Sequence, residues 1–318
     1  MKTLIIGMGN IGILHGWAFS GAGIDVTHKV RRGKKGIYRG GVALDILDMR
    51  KGYPKTRQAL YVPKITDEVN PSDGYDLVMV PTKHYQAAEA VKEIAGSVPE
   101  GRFLMFCANW EGPGEIDALL PRSRYIWGYA AVNGGIVDDV LYANFRDDYR
   151  IGMIDGCSRE FLDAVIDLFS KAGLRADFKE NMIEWLWVHH GTNGALIGSS
   201  LYAGGLAEFA ENLENGSMVG LFVNASKEAL KVLEARGVDV RRYPDTNIFL
   251  NLTPEEIAKI YIDMFESPAG RRTIAAGHYR GNIAEMKRYY TDVLQKGIEL
   301  GIDMPYMLSM RGKIEKIN

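Results

Sequence analysis

The sequence predicts an α/β chain: a doubly wound parallel sheet in the N-terminal half, followed by an all-helical C-terminal domain. Three observations predict it. From residue 3 to residue 180, short apolar runs alternate with helical segments, the pattern of parallel strands joined by crossover helices. Beyond residue 182 almost every segment has helical periodicity. A glycine-rich loop also joins the first strand directly to the first helix. For 318 residues, at roughly 100–200 residues per domain, two domains are the natural division. The change of pattern puts them at residues 1–180 and 181–318.

In order along the chain, Leu4-Ile5-Ile6 reads as the first strand and Ile11 to Ala22 as the first helix. Asp25 to Val30 is the second strand. Leu77-Val78-Met79-Val80 is wholly apolar, as a strand buried on both faces must be, and follows the turn-rich Asn70-Pro71-Ser72-Asp73-Gly74. Tyr85 to Ala95 is a helix and Phe103 to Phe106 a strand. Tyr125 to Ala131 and Tyr149 to Ile154 are further strands. Ser158 to Ala172 sets Phe161, Val165, Leu168 and Phe169 on one side of a helix, and a short strand follows near Ala176-Asp177-Phe178. The later helices are Met182 to Ala203, Met218 to Ala235, Pro254 to Phe265 and Ile283 to Leu300. Thr253 is the N-cap candidate before Pro254. Gly237, Pro244, Pro268 and Gly301 read as breakers between helices.

Composition narrows the function classes. A net charge of −2 gives no basic excess for nucleic acid or an anionic membrane. Two cysteines, Cys107 and Cys157, make neither a disulfide framework nor a metal spacing, which suits a reducing compartment. No secretory leader is read at Met1-Lys2-Thr3, so the sequons at Asn215, Asn224 and Asn251 are chance matches and a cytoplasmic location is expected. The apolar stretch Met182 to Gly205 carries Glu184, His189, His190 and Asn193, which marks a buried helix rather than a membrane span. His189 and His190 are adjacent and diverge around the helix, unlike the i, i+4 pairs of helical zinc sites, so no metal is expected.

Gly7-Met8-Gly9-Asn10-Ile11-Gly12 is G-x-G-x-x-G. In a chain with 36 glycines the pattern alone is weak, but its strand–loop–helix setting is that of the Rossmann dinucleotide-binding fold. Gly7 permits the tight turn, Gly9 lets the backbone approach a pyrophosphate, and Gly12 lets helix and strand pack closely. The helix N-terminus, with Asn10 and Ile11, offers N–H groups and a positive dipole end. After the second strand, where NAD enzymes place an acid for the ribose hydroxyl, stand Arg31-Arg32 and Lys34-Lys35. Guanidinium pairs bidentately with phosphate, so this cluster predicts NADP. A solvated basic loop is the plainer alternative.

From these residues the chain resembles the ketopantoate reductase family. The glycine loop stands at the N-terminus and Arg31 closes the second strand. Val80-Pro81-Thr82-Lys83-His84-Tyr85-Gln86 is similar to the family's strand-end segment with its lysine, and Cys107-Ala108-Asn109-Trp110-Glu111-Gly112 to its Asn-and-glycine segment. The resemblance implies that Lys83 lies near cofactor and substrate and Asn109 near the nicotinamide. It implies a helical substrate and dimerisation domain at 181–318, with a homodimer as the expected assembly.

The family's substrate helix carries Trp-x-Lys with an Asn four residues after the lysine, and the lysine is its general acid. Aligned on Trp187 and Asn193, the lysine position here holds His189. His189 and Asn193 are one helical turn apart and share a face. An imidazolium can protonate the oxygen that hydride addition to a ketone leaves behind, and activity would fall as pH rises through its titration. An isolated helix histidine is more often a packed residue; the position and the Asn193 partner favour catalysis for His189 over His190. The resemblance also assigns Glu285 to the family's C-terminal Glu and Thr273 to its hydroxyl. Glu285 is equally an acid favouring a helix N-terminus. The family's second Asn has no counterpart, since Ile197 or Gly198 stands there. A more apolar or roomier pocket follows, which argues against ketopantoate itself.

The leading expectation is reduction of the C2 carbonyl of a small 2-oxo acid by NADPH. Lys83 would bind the substrate carboxylate or the cofactor, Asn109 and Asn193 would orient the reacting groups, and His189 would give the proton. An opine-type imine reductase and a non-catalytic NADP-binding protein are the alternatives.

Overall fold

In the computed structural model, residues 1–50, 55–277 and 282–317 are described. The chain divides into two compact units, Met1–Ile183 and Glu184–Asn318.

The first unit runs β1 (Thr3–Ile6), α1 (Asn10–Gly21), β2 (Val26–Lys29), β3 (Val42–Asp48), β4 (Lys55–Tyr61), β5 (Lys64–Thr66), β6 (Leu77–Val80), α2 (Ala87–Ile94), β7 (Arg102–Phe106), α3 (Gly114–Asp117), β8 (Tyr125–Val137), β9 (Val140–Gly152), α4 (Arg159–Lys171) and β10 (Arg175–Lys179). Its strands form one sheet in the order β4-β3-β9-β8-β7-β6-β1-β2-β5, with β10 beside β9. The stretch β5-β2-β1-β6-β7-β8 is parallel throughout. If β5 is counted as the third strand of a Rossmann sheet, this is the dinucleotide-binding order 3-2-1-4-5-6. The wholly apolar β6 and the largely apolar β1 and β7 lie at its centre, with Leu4, Ile5, Leu77 to Val80 and Phe103 to Phe106 completely buried.

Two features correct the all-parallel expectation. β8 and β9 form a long antiparallel hairpin, turning at Asp138 and Asp139, whose φ of 49° and 62° match a primed turn. The expected strands at Tyr125–Ala131 and Tyr149–Ile154 are the outer ends of that hairpin. Its middle reads as loop because it contains Gly134, where a Cβ would stand 2.6 Å from the Tyr142 carbonyl oxygen. β3 then pairs with one part of β9 in parallel and with β4 in antiparallel. Under the sheet, α1 and α4 bury an aromatic cluster of Phe19, Phe106, Phe145, Tyr149 and Phe169. Ser158 caps α4 by accepting from the Phe161 N–H.

The second unit consists of α5 (Met182–Ala203, which starts just before the boundary), α6 (Leu206–Glu214), α7 (Val219–Ala235), α8 (Pro244–Asn251), α9 (Pro254–Glu266), α10 (Pro268–Ala275), α11 (Ile283–Glu299) and α12 (Pro305–Glu315). Pro244 and Pro268, expected to act only as breakers, instead open α8 and α10 from the first helical turn. There the missing N–H costs nothing and the fixed φ is already helical. Thr253 and Glu256 form a full capping box on α9. Among the described residues no helix is long and apolar enough to cross a membrane.

Glycines set the packing of α5. A Cβ at Gly191 would stand 3.0 Å from Leu233 of α7, one at Gly194 2.6 Å from Val293 and 2.9 Å from the Tyr289 carbonyl oxygen of α11, and one at Gly198 2.5 Å from the Tyr290 ring. The second obstacle at Gly194 is backbone and cannot rotate away. Gly194→Ala is therefore expected to cost about 1–3 kcal/mol by forcing α5 and α11 apart. Gly220→Ala, where a Cβ meets nothing within 4 Å, should cost nothing. Thermal melts of the two variants check this, and equal melting temperatures would contradict it.

Candidate functional site

The glycine loop is built as its sequence requires. Gly7 ends β1 with φ +88°, a conformation side chains rarely adopt, and its N–H donates to the Lys29 carbonyl at 2.7 Å. Gly9 is the N-cap residue of α1 and contributes no side-chain cap. A Cβ there would meet no atom within 4 Å, so the backbone is open to a ligand. Gly12 is the opposite case: a Cβ would stand 3.1 Å from the Gly7 oxygen and 3.3 Å from Ile5, so helix and strand can approach only without one. The first-turn N–H groups of α1, including those of Asn10, Ile11 and Gly12, have no acceptor within the helix. The Asn10 amide ties the loop to the hairpin by donating to the Gly134 carbonyl at 3.0 Å. These features fit a pyrophosphate: unpaired donors, a positive helix end and a backbone without a side chain in the way.

Beyond β2 the basic residues are unequal. Arg32 pairs with Glu68 at 2.8 Å, and the Gly33 N–H is held by Asp67. Arg31 is exposed and makes no ion pair among the described residues. Lys83 lies just past the carboxyl end of β6 and opens the turn before α2, the end of an open parallel sheet at which ligands bind. Asn109 follows β7 and is buried. Its Oδ1 accepts from the Gly112 N–H at 2.6 Å and its Nδ2 donates to the Gly112 carbonyl at 2.9 Å. Its amide thus closes the loop, with one N–H and one lone pair to spare.

On α5, His189 and Asn193 meet as the spacing requires. The Asn193 amide donates to the His189 carbonyl at 2.7 Å and lies 3.3 and 3.2 Å from the two ring nitrogens. Such near-equal distances put the amide over the ring rather than in line with either nitrogen. On the other side the ring stacks on Trp185, centroids 5.0 Å apart and planes 13° apart. On a helical wheel of about 100° per residue, Trp185, His189 and Asn193 form a stripe roughly opposite Gly191, Gly194 and Gly198. His190 is different. It is fully buried, stacks on Tyr289, and sets Nε2 3.3 Å from Asp292, which also pairs with Arg288. It is a packed residue between α5 and α11.

Glu285 stands in the first turn of α11 and is half-buried. Thr273 donates its hydroxyl back to the Ala269 carbonyl within α10. The space expected at Ile197 or Gly198 is not a pocket. Ile197 is buried, and the Tyr290 ring fills the gap over Gly198. Sequence reasoning missed His28, whose ring touches the glycine loop. The signal was a histidine on the same face of the second strand as Val26 and Val30.

The fold and the loop define a Rossmann-type α/β protein with a helical second unit. Residues 3–153 match the family described as ketopantoate reductase PanE/ApbA. The chain is 25% identical over 296 residues to the 2-dehydropantoate 2-reductase of Pyrococcus abyssi (strain GE5 / Orsay), covering 90% of each, and 25% identical over 244 residues to that of Pyrococcus horikoshii, covering 75% of each. In structure it is similar to D-mandelate dehydrogenase in a ternary complex with NADH and anilino(oxo)acetate (TM-score 0.74, 16% identity, 99% of this chain and 97% of that one). It is also similar to the 2-dehydropantoate 2-reductase of Geobacter metallireducens GS-15 (TM-score 0.71, 16% identity, 99% of both).

Proposed function

We propose that the chain is an NADPH-dependent reductase of a small 2-oxo acid. The observation that carries the reading is the glycine loop, with Gly9 unobstructed at the N-terminus of α1. Arg31 is the residue for the 2′-phosphate, since Arg32 is held by Glu68. A nicotinamide bound there supplies hydride. His189, flanked by Trp185 and Asn193, donates the proton that neutralises the oxygen formed at the substrate carbonyl. Lys83 binds the carboxylate or the cofactor, Asn109 and Asn193 orient the reacting groups, and Glu285 completes the polar set. The relatives named 2-dehydropantoate 2-reductase support the reaction class. The D-mandelate dehydrogenase complex, whose second ligand carries an oxo group beside a carboxylate, supports the substrate class.

The test is NADPH oxidation with a panel of 2-oxo acids, each with and without amino acids. Acceleration by 2-oxo acids alone is the expected result. Acceleration only when an amine is added would replace this reading with an imine reductase. NADPH binding without turnover on any member would leave a non-catalytic nucleotide-binding protein.

Arg31→Ala is expected to weaken NADPH by about tenfold or more, as loss of hydrogen bonds to a charged group does, and to leave NADH unchanged. Titrations with both cofactors check it. Equal losses for the two would remove Arg31 from the 2′-phosphate and with it the NADP assignment.

A further inference from the structure

His28 sits in the middle of β2 with no exposed surface. Its Nδ1 is 3.0 Å from the Gly7 carbonyl oxygen and its Nε2 is 2.9 Å from the Tyr61 hydroxyl. A carbonyl oxygen only accepts, so Nδ1 carries the proton, Nε2 accepts, and the phenol donates to it. Burial keeps the ring neutral by lowering its pKa to about 4, against the contrary pull of the Gly7 carbonyl. The result is a directed chain: Tyr61 O–H to Nε2, then Nδ1–H to Gly7 C=O. Gly16 of α1 makes room for it, since a Cβ there would stand 2.3 Å from Nε2 and 2.6 Å from the Tyr61 oxygen.

Gly7 is the residue whose positive φ turns β1 into the glycine loop. Both of its backbone polar groups are held from β2, the N–H by the Lys29 carbonyl and the C=O by His28. The two bonds hold the peptide planes on either side of the Gly7 Cα, and so fix the turn between them, which sets the direction in which Gly9 and the first turn of α1 face.

We propose that His28, backed by Tyr61, is a positioning residue for the dinucleotide loop, holding the Gly7–Met8 peptide in the orientation that presents the α1 N-terminus to the pyrophosphate. The inference rests on the reading of that loop as a nucleotide site.

The test measures NADPH dissociation constants by calorimetry on the full chain, together with melting temperature and the split between cofactor KM and kcat. His28→Leu removes both bonds and should raise the dissociation constant by about tenfold, the effect falling on cofactor KM rather than on kcat. His28→Asn places an amide donor where Nδ1 was and should recover most of the affinity. His28→Gln places its amide where Nε2 was, keeps Tyr61 and should not. Tyr61→Phe should weaken binding by a smaller factor than His28→Leu. A purely structural histidine would make affinity follow melting temperature, with no separate ranking of Asn over Gln, and that outcome overturns the proposal. So does unchanged affinity in His28→Leu; if that variant does not fold, the Asn, Gln and Tyr61→Phe variants decide. Failure of the wild-type chain to bind NADPH or NADH would instead overturn the nucleotide reading, and this proposal with it.

Discussion

Replacing His189 with alanine is expected to lower turnover by about two to three orders of magnitude and to leave NADPH affinity intact, as removal of a general acid does. The geometry explains why the loss should be confined to the chemical step. Trp185 stacks on one face of the ring and the Asn193 amide lies 3.3 and 3.2 Å from its two nitrogens, so the imidazole is held in place from two sides. The ring is on the α5 stripe turned away from the glycines that pack against α7 and α11. Its removal leaves that packing in place, and the glycine loop belongs to the other unit. His189→Lys is the informative companion, because lysine is the acid at this position in the family the sequence resembles. It should retain measurable turnover that alanine lacks. Near-normal turnover in His189→Ala, read from steady-state kcat alongside a cofactor titration, would remove the histidine as acid. His190→Ala should instead lower the melting temperature, since that ring is buried against Tyr289 and Asp292.

Stability is expected to fall steeply between pH 6.5 and pH 4. His15 and His28 are buried neutral, and each has its pKa lowered from 6.5 to about 4, desolvation being the largest cause for both. His15 lies among Phe19, Phe106, Phe145 and Phe169, where a charge would have no water to solvate it. The sign follows from proton counting. Above pH 6.5 neither the folded nor the unfolded chain protonates these rings, and they contribute no pH dependence. Between the two pKa values the unfolded chain binds two protons that the folded chain refuses, so acid favours unfolding. Below pH 4 both states are protonated and the contribution levels off. At about 1.4 kcal/mol per pH unit for each proton, the slope in mid-window is about 3 kcal/mol per unit. Asp48 and Asp148 have lowered pKa values, desolvation opposing and arginine hydrogen bonds prevailing. Their contribution is present above the ordinary carboxylate pKa and is lost at lower pH. Urea melts at pH 7 and pH 5 read the histidine slope directly, and His15→Leu should make it shallower. Equal midpoints at the two pH values would refute the account.

The sequence revealed what local chemistry dictates and hid what distant partners dictate. β1, β6 and β7 were legible because strands buried on both faces carry continuous apolar runs, Leu4 to Ile6, Leu77 to Val80 and Phe103 to Phe106. β4 was not, because it lies at the edge of the sheet and carries Lys55, Arg57 and the polar Gln58; charges such as the first two keep an edge strand from pairing further. The hairpin of β8 and β9 was hidden by Gly134 and the Asp138-Asp139 turn, which read as loop. Pro244 and Pro268 were legible as boundaries but not as helix starts, since a proline marks both.

The glycine loop could be read as a motif because its steric demands fall within six consecutive residues. His189 and Asn193 could be paired because one helical turn separates them. The link from His28 to Gly7 and Tyr61 joins three separate segments and leaves no local trace. The filled space over Gly198 is also tertiary, because only the packing of α11 puts Tyr290 there.

Where α5 meets α7 and α11, glycine hydrogens rather than side chains set the spacing between the helices. Contacts of that kind have no slack, since there is no rotamer to change and no chain to bend. The helix carrying His189 therefore behaves as a fixed rail. At the proposed site, a change in preferred substrate is expected to come from exchanging side chains along the Trp185–Asn193 stripe, because the rail itself cannot shift to make room.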